Sequence, residues 1–322
     1  MHKIRVGVLR GGPSAEYEVS LKTGQSVLQH LPQERFDVKD VFIDKQGNWH
    51  LRGMPVEPTR ALDQFDVMFN ALHGKYGEDG GVQRFMDTHG ARYTGTGPLA
   101  SAVGMDKPLA KDWLKDAPFS HIEHKVLRKD EISEDILLEL FRNFPQPSVV
   151  KPANGGSSVA TSVVRSYNDL LYAVMLALQE SDRVLIESYI KGREATVAVA
   201  DGFRNQDVYA FPPIEIVTTK SDFFDYDEKY AGHAKELCPG PFSSDVRDQL
   251  IKAAQYVHRT LGLRDYSRSD FIVHPEGVYF LEVNTLPGLT EQSLVPKALY
   301  AVGATLPQFL EHLVLQAYER KK

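Results

Sequence analysis

Apolar positions along the chain change period several times, and the changes mark the elements. Residues 4–9, 38–43 and 67–71 are short apolar runs of the kind that strands covered on both faces show. Between the first two, residues 14–31 place Val19, Val27 and Leu28 at helical spacing behind the turn Gly11-Gly12-Pro13, and Ser14 is the expected N-cap. A helix to about His89 and a short strand over 92–94 complete a first α/β unit, which Gly95-Thr96-Gly97-Pro98 closes.

Helices are then expected around 99–103 and 106–115, strands over 120–126, 148–151 and 159–164, and a helix over 168–179. Strands over 184–190 and 194–199 follow, with helices at 243–261, 293–301 and 306–319. Two alternating runs, 267–274 and 278–284, flank Pro275-Glu276-Gly277, which suits a three-residue hairpin with Gly277 in the left-handed position. That register sets His274 against Val278, Asp270 against Glu282 and Arg268 against Asn284, all on one face. Phe271, Val273, Tyr279, Leu281 and Val283 take the other face. The boundaries expected are 1–97, 98–187 and 188–322.

Two carboxylates and an amide oxygen aimed at one point repel each other unless a hard cation lies between them, and an all-oxygen set suits Mg²⁺ or Mn²⁺. A surface hairpin with polar residues facing water is the competing account of the same pattern. The turn after Asn284 offers the Gly288 N–H to an oxyanion, and Ser293-Leu294 opens a helix. Glu16 and Glu18 fall in the first turn of a helix, where acids complement the dipole, but Glu16 also sits at the carboxyl end of a strand, where α/β sheets bind ligands. The glycine-rich stretch from His73 to Gly80 reads as a binding loop. Lys151, at a strand end before Asn154-Gly155-Gly156-Ser157-Ser158, suits a phosphate loop, and a plain hairpin turn is the alternative. Glu187 is placed to accept from an adenine amino group and Glu194 to meet a ribose; either is otherwise a strand-end acid. Residues 221–242 form a long aromatic segment without periodicity, centred on Lys229 and Tyr230, as expected of a lid.

At 322 residues the chain has room for two or three compact units. Its formal net charge of -6 and pI of about 6.0 argue against an electrostatic nucleic-acid binder. The single Cys238 excludes an internal disulfide and any cysteine-based zinc site, and reads as a bystander. With no apolar run approaching the ~18 residues of a membrane span, and too short a one at the N-terminus for a signal peptide, the expected compartment is the cytoplasm.

Several separate stretches agree in order: Gly11-Gly12-x-Ser14-Ala15-Glu16-x-Glu18-Val19-Ser20, His73-Gly74-x-x-Gly77-Glu78-Asp79-Gly80, Tyr93-Thr94-Gly95-x-Gly97 with Met105-Asp106-Lys107, Lys151-Pro152 with Gly156-Ser157-Ser158-Val159, and the block over 264–294. Together they resemble the D-alanine:D-alanine ligases over nearly the whole chain. The resemblance implies an N-terminal α/β domain followed by a two-subdomain ATP-grasp fold, and ATP-dependent joining of two D-alanines. It implies that Lys107, Lys151, Ser158, Glu187, Tyr189, Ile190 and Glu194 bind ATP, that Phe223, Ile272 and Leu281 wall the adenine, and that Lys229 reaches the γ-phosphate. Asp270, Glu282 and Asn284 would hold two Mg²⁺ or Mn²⁺ ions. Glu16, with His73 nearby, would meet the first D-alanine's ammonium, and Ser293 and Leu294 the second one's carboxylate. Glu16, Ser157 and Tyr230 match a hydrogen-bonded trio that closes the lid, and Arg268 and the Gly288 N–H match the oxyanion donors. Tyr230 matches dipeptide-forming members, and family likeness suggests a homodimer. Ala160 departs from a frequent glycine, so the phosphate lid is expected to be stiffer. Ligases that use D-lactate or D-serine as acceptor, and a non-catalytic nucleotide sensor of the same fold, are the rival readings.

Overall fold

The computed structural model describes residues 3–156, 160–217 and 235–320. The first sheet is built from β1 (Ile4–Gly11), β2 (Phe36–Ile43), β3 (Trp49–Leu51), β4 (Met54–Pro55) and β5 (Val67–Asn70), in the order β4-β3-β2-β1-β5. β1 runs parallel to β2 and β5, and β3 and β4 add antiparallel pairs at the edge. The continuous apolar character of β1 and β5 follows from burial on both sides. One face packs Val6, Val8, Val67 and Phe69 with helix α1 (Tyr17–His30). The other packs Leu9 and Met68 with Val82 and Met86 of α3 (Gly81–Thr88), while α2 (Pro58–Leu62) adds Ala61 and Leu62. The expected strand over 92–94 is a single bridge between Met68 and Tyr93.

α1 begins three residues later than Ser14. The Ser14 hydroxyl accepts from the Glu16 N–H at 3.0 Å and the Ser14 carbonyl accepts from the Tyr17 N–H at 3.1 Å, a turn that leaves Glu16 as the N-cap. The Glu16 side chain makes no capping bond to its own helix.

After α4 (Pro98–Met105) and α5 (Lys107–Trp113), a second, antiparallel sheet has the order β6-β9-β7-β8, from β6 (His124–Arg128), β7 (Ser148–Pro152), β8 (Ser162–Val164) and β9 (Arg183–Ser188). α6 (Glu134–Asn143) and α7 (Tyr167–Glu180) pack on Val150, Val164, Val184 and Ile186. α7 starts on a reciprocal Ser166/Asp169 capping box. α6 is an element beyond those the apolar pattern predicts; its signal is Ser133, which accepts from the Ile136 N–H, followed by Glu134 and Asp135 in the first turn. With period two along each strand, Lys151 and Glu187 fall on the face opposite Val150 and Ile186.

The third sheet is β13-β12-β10-β14-β15, with β11 also on β10; its strands are β10 (Arg193–Asp201), β11 (Val208–Ala210), β12 (Ile214–Val217), β13 (Lys235–Leu237), β14 (Tyr266–His274) and β15 (Gly277–Asn284). α8 (Ser244–Thr260) covers one face, placing Leu250, Ala253, Ala254 and Val257 against Val197, Phe271, Phe280 and Val283. α9 (Leu294–Ala301) and α10 (Leu306–Glu319) bring Val295, Leu299, Phe309, Leu313 and Val314 into one core with Val6, Phe69, Ala200 and Tyr266, which joins the first sheet to the third. No described helix is long and apolar enough to cross a membrane.

Candidate active site

The β14–β15 hairpin keeps half of its expected register. Arg268 pairs with Asn284 and Asp270 with Glu282, but a bulge between Asp270 and Phe271 then sets Phe271 against Phe280 and His274 against Gly277. The extra residue is on β15, so the turn is shortened to Pro275-Glu276 and the alternation flips. Phe280, rather than Tyr279 and Leu281, enters the core beside Phe271, Val278 and Val283. On the opposite face, Thr196 and Glu194 of β10 pair with Asp270 and Ile272 and extend the row of polar side chains.

That face forms one wall of a cavity of about 390 Å³. Arg268, Asp270, Glu282, Asn284, Glu194 and Thr196 line it, as do Lys107, Glu16, His73, Glu78, Gly288, Ser293 and Leu294. Lys151, Glu187, Tyr189, Ile190, Ile272 and Leu281 are not among its lining residues. Arg268 donates two bonds of 3.0 Å, from Nε to Oδ1 and from Nη2 to Oδ2 of Asp270, and the Thr196 hydroxyl donates to Oδ1 at 2.5 Å. Burial opposes the Arg268 charge, but Asp270 and Glu282 outweigh it and raise its pKa further. Lys107 Nζ lies 3.5 Å from Glu282 Oε2; burial pulls its pKa down despite that partner.

Across the cavity, Glu16, His73 and Glu78 bring ligand-type atoms within 4.8 Å of one another. The Glu78 carboxylate accepts from the Gly74 N–H at 2.7 Å and the Leu286 N–H at 3.2 Å, tying the glycine loop to the turn after β15. His73 Nε2 is 2.9 Å from the Thr23 hydroxyl, and burial pushes its pKa down to about 4, so the ring is neutral at pH 7. Burial, reinforced by Glu16, raises the Glu78 pKa. Gly74 has φ of +66°, and a β-carbon there would run into the Ser14 hydroxyl. A β-carbon at Gly156 would meet the Glu16 carboxylate, so the Lys151 loop comes close to the start of α1.

The Ser26 hydroxyl donates to the Leu289 carbonyl at 2.8 Å, fixing the segment that carries Gly288 against α1. The Ser293 hydroxyl accepts from the Thr290 N–H at 3.2 Å and lies 2.7 Å from the Thr290 hydroxyl at the start of α9.

On the face of the second sheet opposite α6 and α7, Glu187 is 2% exposed and holds two ammonium groups, Lys151 on Oε2 at 2.7 Å and Lys111, from α5, on Oε1 at 2.8 Å. Burial would raise its pKa, but the two cations hold it down at about 2. Burial likewise opposes the Lys151 charge, yet Glu187 and Glu282 raise its pKa overall.

Comparison with known proteins decides what this arrangement belongs to. The family model described as D-ala D-ala ligase C-terminus matches residues 111–315, and that described as D-ala D-ala ligase N-terminus matches 5–59 and 51–96. The chain belongs to the D-alanine–D-alanine ligase family. It is 38% identical over 316 residues to the D-alanine–D-alanine ligase of Geobacter sulfurreducens, covering 97% of this chain and 94% of that protein. With D-alanine–D-alanine ligase B of Clostridium perfringens it shares 35% over 319 residues, 99% of each chain. Among solved structures, the VanG D-Ala:D-Ser ligase from Enterococcus faecalis superposes with a TM-score of 0.86 at 28% identity, covering 98% of this chain and 100% of that one. The D-alanine-D-alanine ligase from Coxiella burnetii gives 0.84 at 26% identity, covering 99% and 95%. The fold is therefore that of an ATP-dependent ligase, with an N-terminal α/β domain followed by ATP-grasp domains.

Within this ligase, Ser157, Ser158, Phe223, Lys229 and Tyr230 lie outside the described residues. Ala160 has φ of +57°, a left-handed conformation that costs a residue with a β-carbon about 1–2 kcal/mol and explains why glycine suits the position. Two cavity residues, Thr196 and Glu78, and Lys111, which does not line the cavity, gain their roles from the structure alone. Lys111 falls one helical turn after Lys107, Thr196 two residues after Glu194 on the same strand face, and Glu78 within the glycine loop; those spacings were their only signals. Burial pushes the Cys238 thiol up, which disfavours the reactive thiolate.

Proposed function

We propose that this ligase joins two D-alanines into D-alanyl-D-alanine, with an acyl phosphate as intermediate and the three units 1–97, 98–187 and 188–322 dividing the work. One D-alanine carboxylate oxygen attacks the γ-phosphorus of ATP and expels ADP. The amine of the second D-alanine then attacks the acyl carbon, loses a proton and displaces phosphate. Carrying the reading is the meeting of the Arg268, Asp270, Glu282 and Asn284 face with Glu16, His73 and Glu78 in the lining of one cavity.

In this reading Glu16 accepts from the first D-alanine's ammonium, and the neutral His73 ring adds no opposing charge there. Lys107 and Lys151 neutralise phosphate oxygens. Arg268 and the Gly288 N–H donate to the oxyanion that forms when the amine attacks. Ser293, through its hydroxyl, and Leu294, through its backbone N–H at the start of α9, receive the second carboxylate, the Ser293 N–H being held by the Thr290 carbonyl at 2.8 Å. Asp270, Glu282 and Asn284 offer only oxygen donors from one face of paired strands, a set that fits Mg²⁺ or Mn²⁺. Two such ions, when bound, would supply charge neutralisation at the phosphates. Holding two small substrates and ATP in line contributes up to about 7–11 kcal/mol, more than any single proton acceptor. A cytoplasmic homodimer belongs to the same reading and rests on family likeness.

The test is phosphate release from ATP with Mg²⁺ and D-alanine, L-alanine or no amino acid, with D-serine and D-lactate as competing acceptors and products identified by mass. D-alanine-dependent release giving the dipeptide is expected. A mixed product as the dominant species would move the assignment to an acceptor such as the D-serine named for the VanG neighbour, and ATP binding without release would leave a nucleotide sensor.

A further inference from the structure

Glu187 carries one ammonium more than a buried carboxylate needs. Lys151 lies at the end of β7, before the small-residue loop, with its ammonium on Glu187, and the ATP reading gives that ammonium to phosphate oxygens. If it leaves Glu187 for the nucleotide, a carboxylate that is 2% exposed must keep another cation. Lys111 answers that need from a different element. It stands on α5, is itself buried, meets Oε1 at 2.8 Å and donates at 3.0 Å to the carbonyl of Phe280, next to the bulge of β15. It thereby ties β9 to the hairpin that carries Asp270 and Glu282, and it does not line the cavity.

We propose that Lys111 is a positioning residue for the nucleotide: it remains on Glu187 as a fixed counter-ion, so that Lys151 can transfer its ammonium from Glu187 to phosphate. This rests on the ATP reading of the site. In the nucleotide-free protein, removing the Lys111 charge leaves Glu187 still paired with Lys151, so the fold tolerates the loss. When ATP binds, the same removal strands Glu187, or holds Lys151 back from the phosphates, and the cost falls on ATP alone.

The experiment is steady-state kinetics and direct ATP binding for Lys111→Met, which keeps length and apolar bulk, and for Lys111→Arg, which keeps the charge. For Lys111→Met the KM and Kd for ATP are expected to rise on the order of a hundredfold, the scale of an unpaired buried charge. The KM for D-alanine and kcat at saturating ATP stay within about twofold, and Lys111→Arg recovers most of the ATP affinity. If Lys111→Met does not fold, Lys111→Gln, which keeps a polar N–H donor without the charge, carries the same expectation. An unchanged ATP KM, or a parallel rise for ATP and D-alanine that arginine does not reverse, overturns the proposal. The wild type measured alongside separates the two claims: if it shows no D-alanine-dependent phosphate release, the ligase reading fails instead.

Discussion

Replacing Glu187 by glutamine removes the one carboxylate that, among the described residues, pairs with both Lys111 and Lys151, and keeps its shape. The carboxyl is held at about 2 in the fold against 4.5 as its ordinary value, because two ammonium groups outweigh the burial that would raise it. A carboxyl whose folded pKa is depressed stabilises the fold above its unfolded pKa and gives that stability up as the pH falls through the folded one; here the full contribution is about 3 kcal/mol. Glu187→Gln should therefore cost about 3–5 kcal/mol at pH 7, since breaking a buried pair leaves charge uncompensated. Because the wild type alone loses the linked term, the difference between the two proteins should shrink by about 2 kcal/mol between pH 7 and pH 3. Urea unfolding of both proteins across that range, at fixed ionic strength, reads the difference directly, and the comparison cancels the carboxylates they share. A gap that stays constant with pH, or a variant as stable as the wild type at pH 7, would refute the claim that Glu187 is ionised and carries both lysines.

Glu282→Gln should abolish turnover and weaken Mn²⁺ binding measured by electron paramagnetic resonance; retained activity with unchanged Mn²⁺ affinity would remove Glu282 from the metal set. Arg268→Met should lower kcat by about 10²–10³, the loss seen when one oxyanion donor is deleted, while ATP Kd stays near that of the wild type. A kcat within a few-fold of wild type would assign Arg268 to holding Asp270 alone.

How far the sequence reached depended on whether a group's partners lie along its own strand. The Asp270/Glu282 and Arg268/Asn284 pairs were legible because period two and a hairpin turn are local rules, and the register next to Asn284 obeys them. The same rules fail beyond Asp270: no residue type marks a bulge on β15, so strict alternation puts Tyr279 and Leu281 on the face away from the carboxylates, where Phe280 in fact packs. Serine suits the cap role and so points to Ser14, yet its hydroxyl accepts from the Glu16 N–H in a turn that makes Glu16 the N-cap, without a side-chain capping bond. Glu187 shows the deeper limit. Its strand-end position suggested an acceptor for adenine, but both oxygens are held by lysines from α5 and β7, elements distant in sequence whose meeting depends on how a helix crosses a sheet. Spacing reveals which face a side chain takes; it carries no information about which charge waits on the facing element. In this ligase that second fact determines whether an ammonium is available to phosphate, so the nucleotide side of the site can be understood only with the helix and the two strands in place.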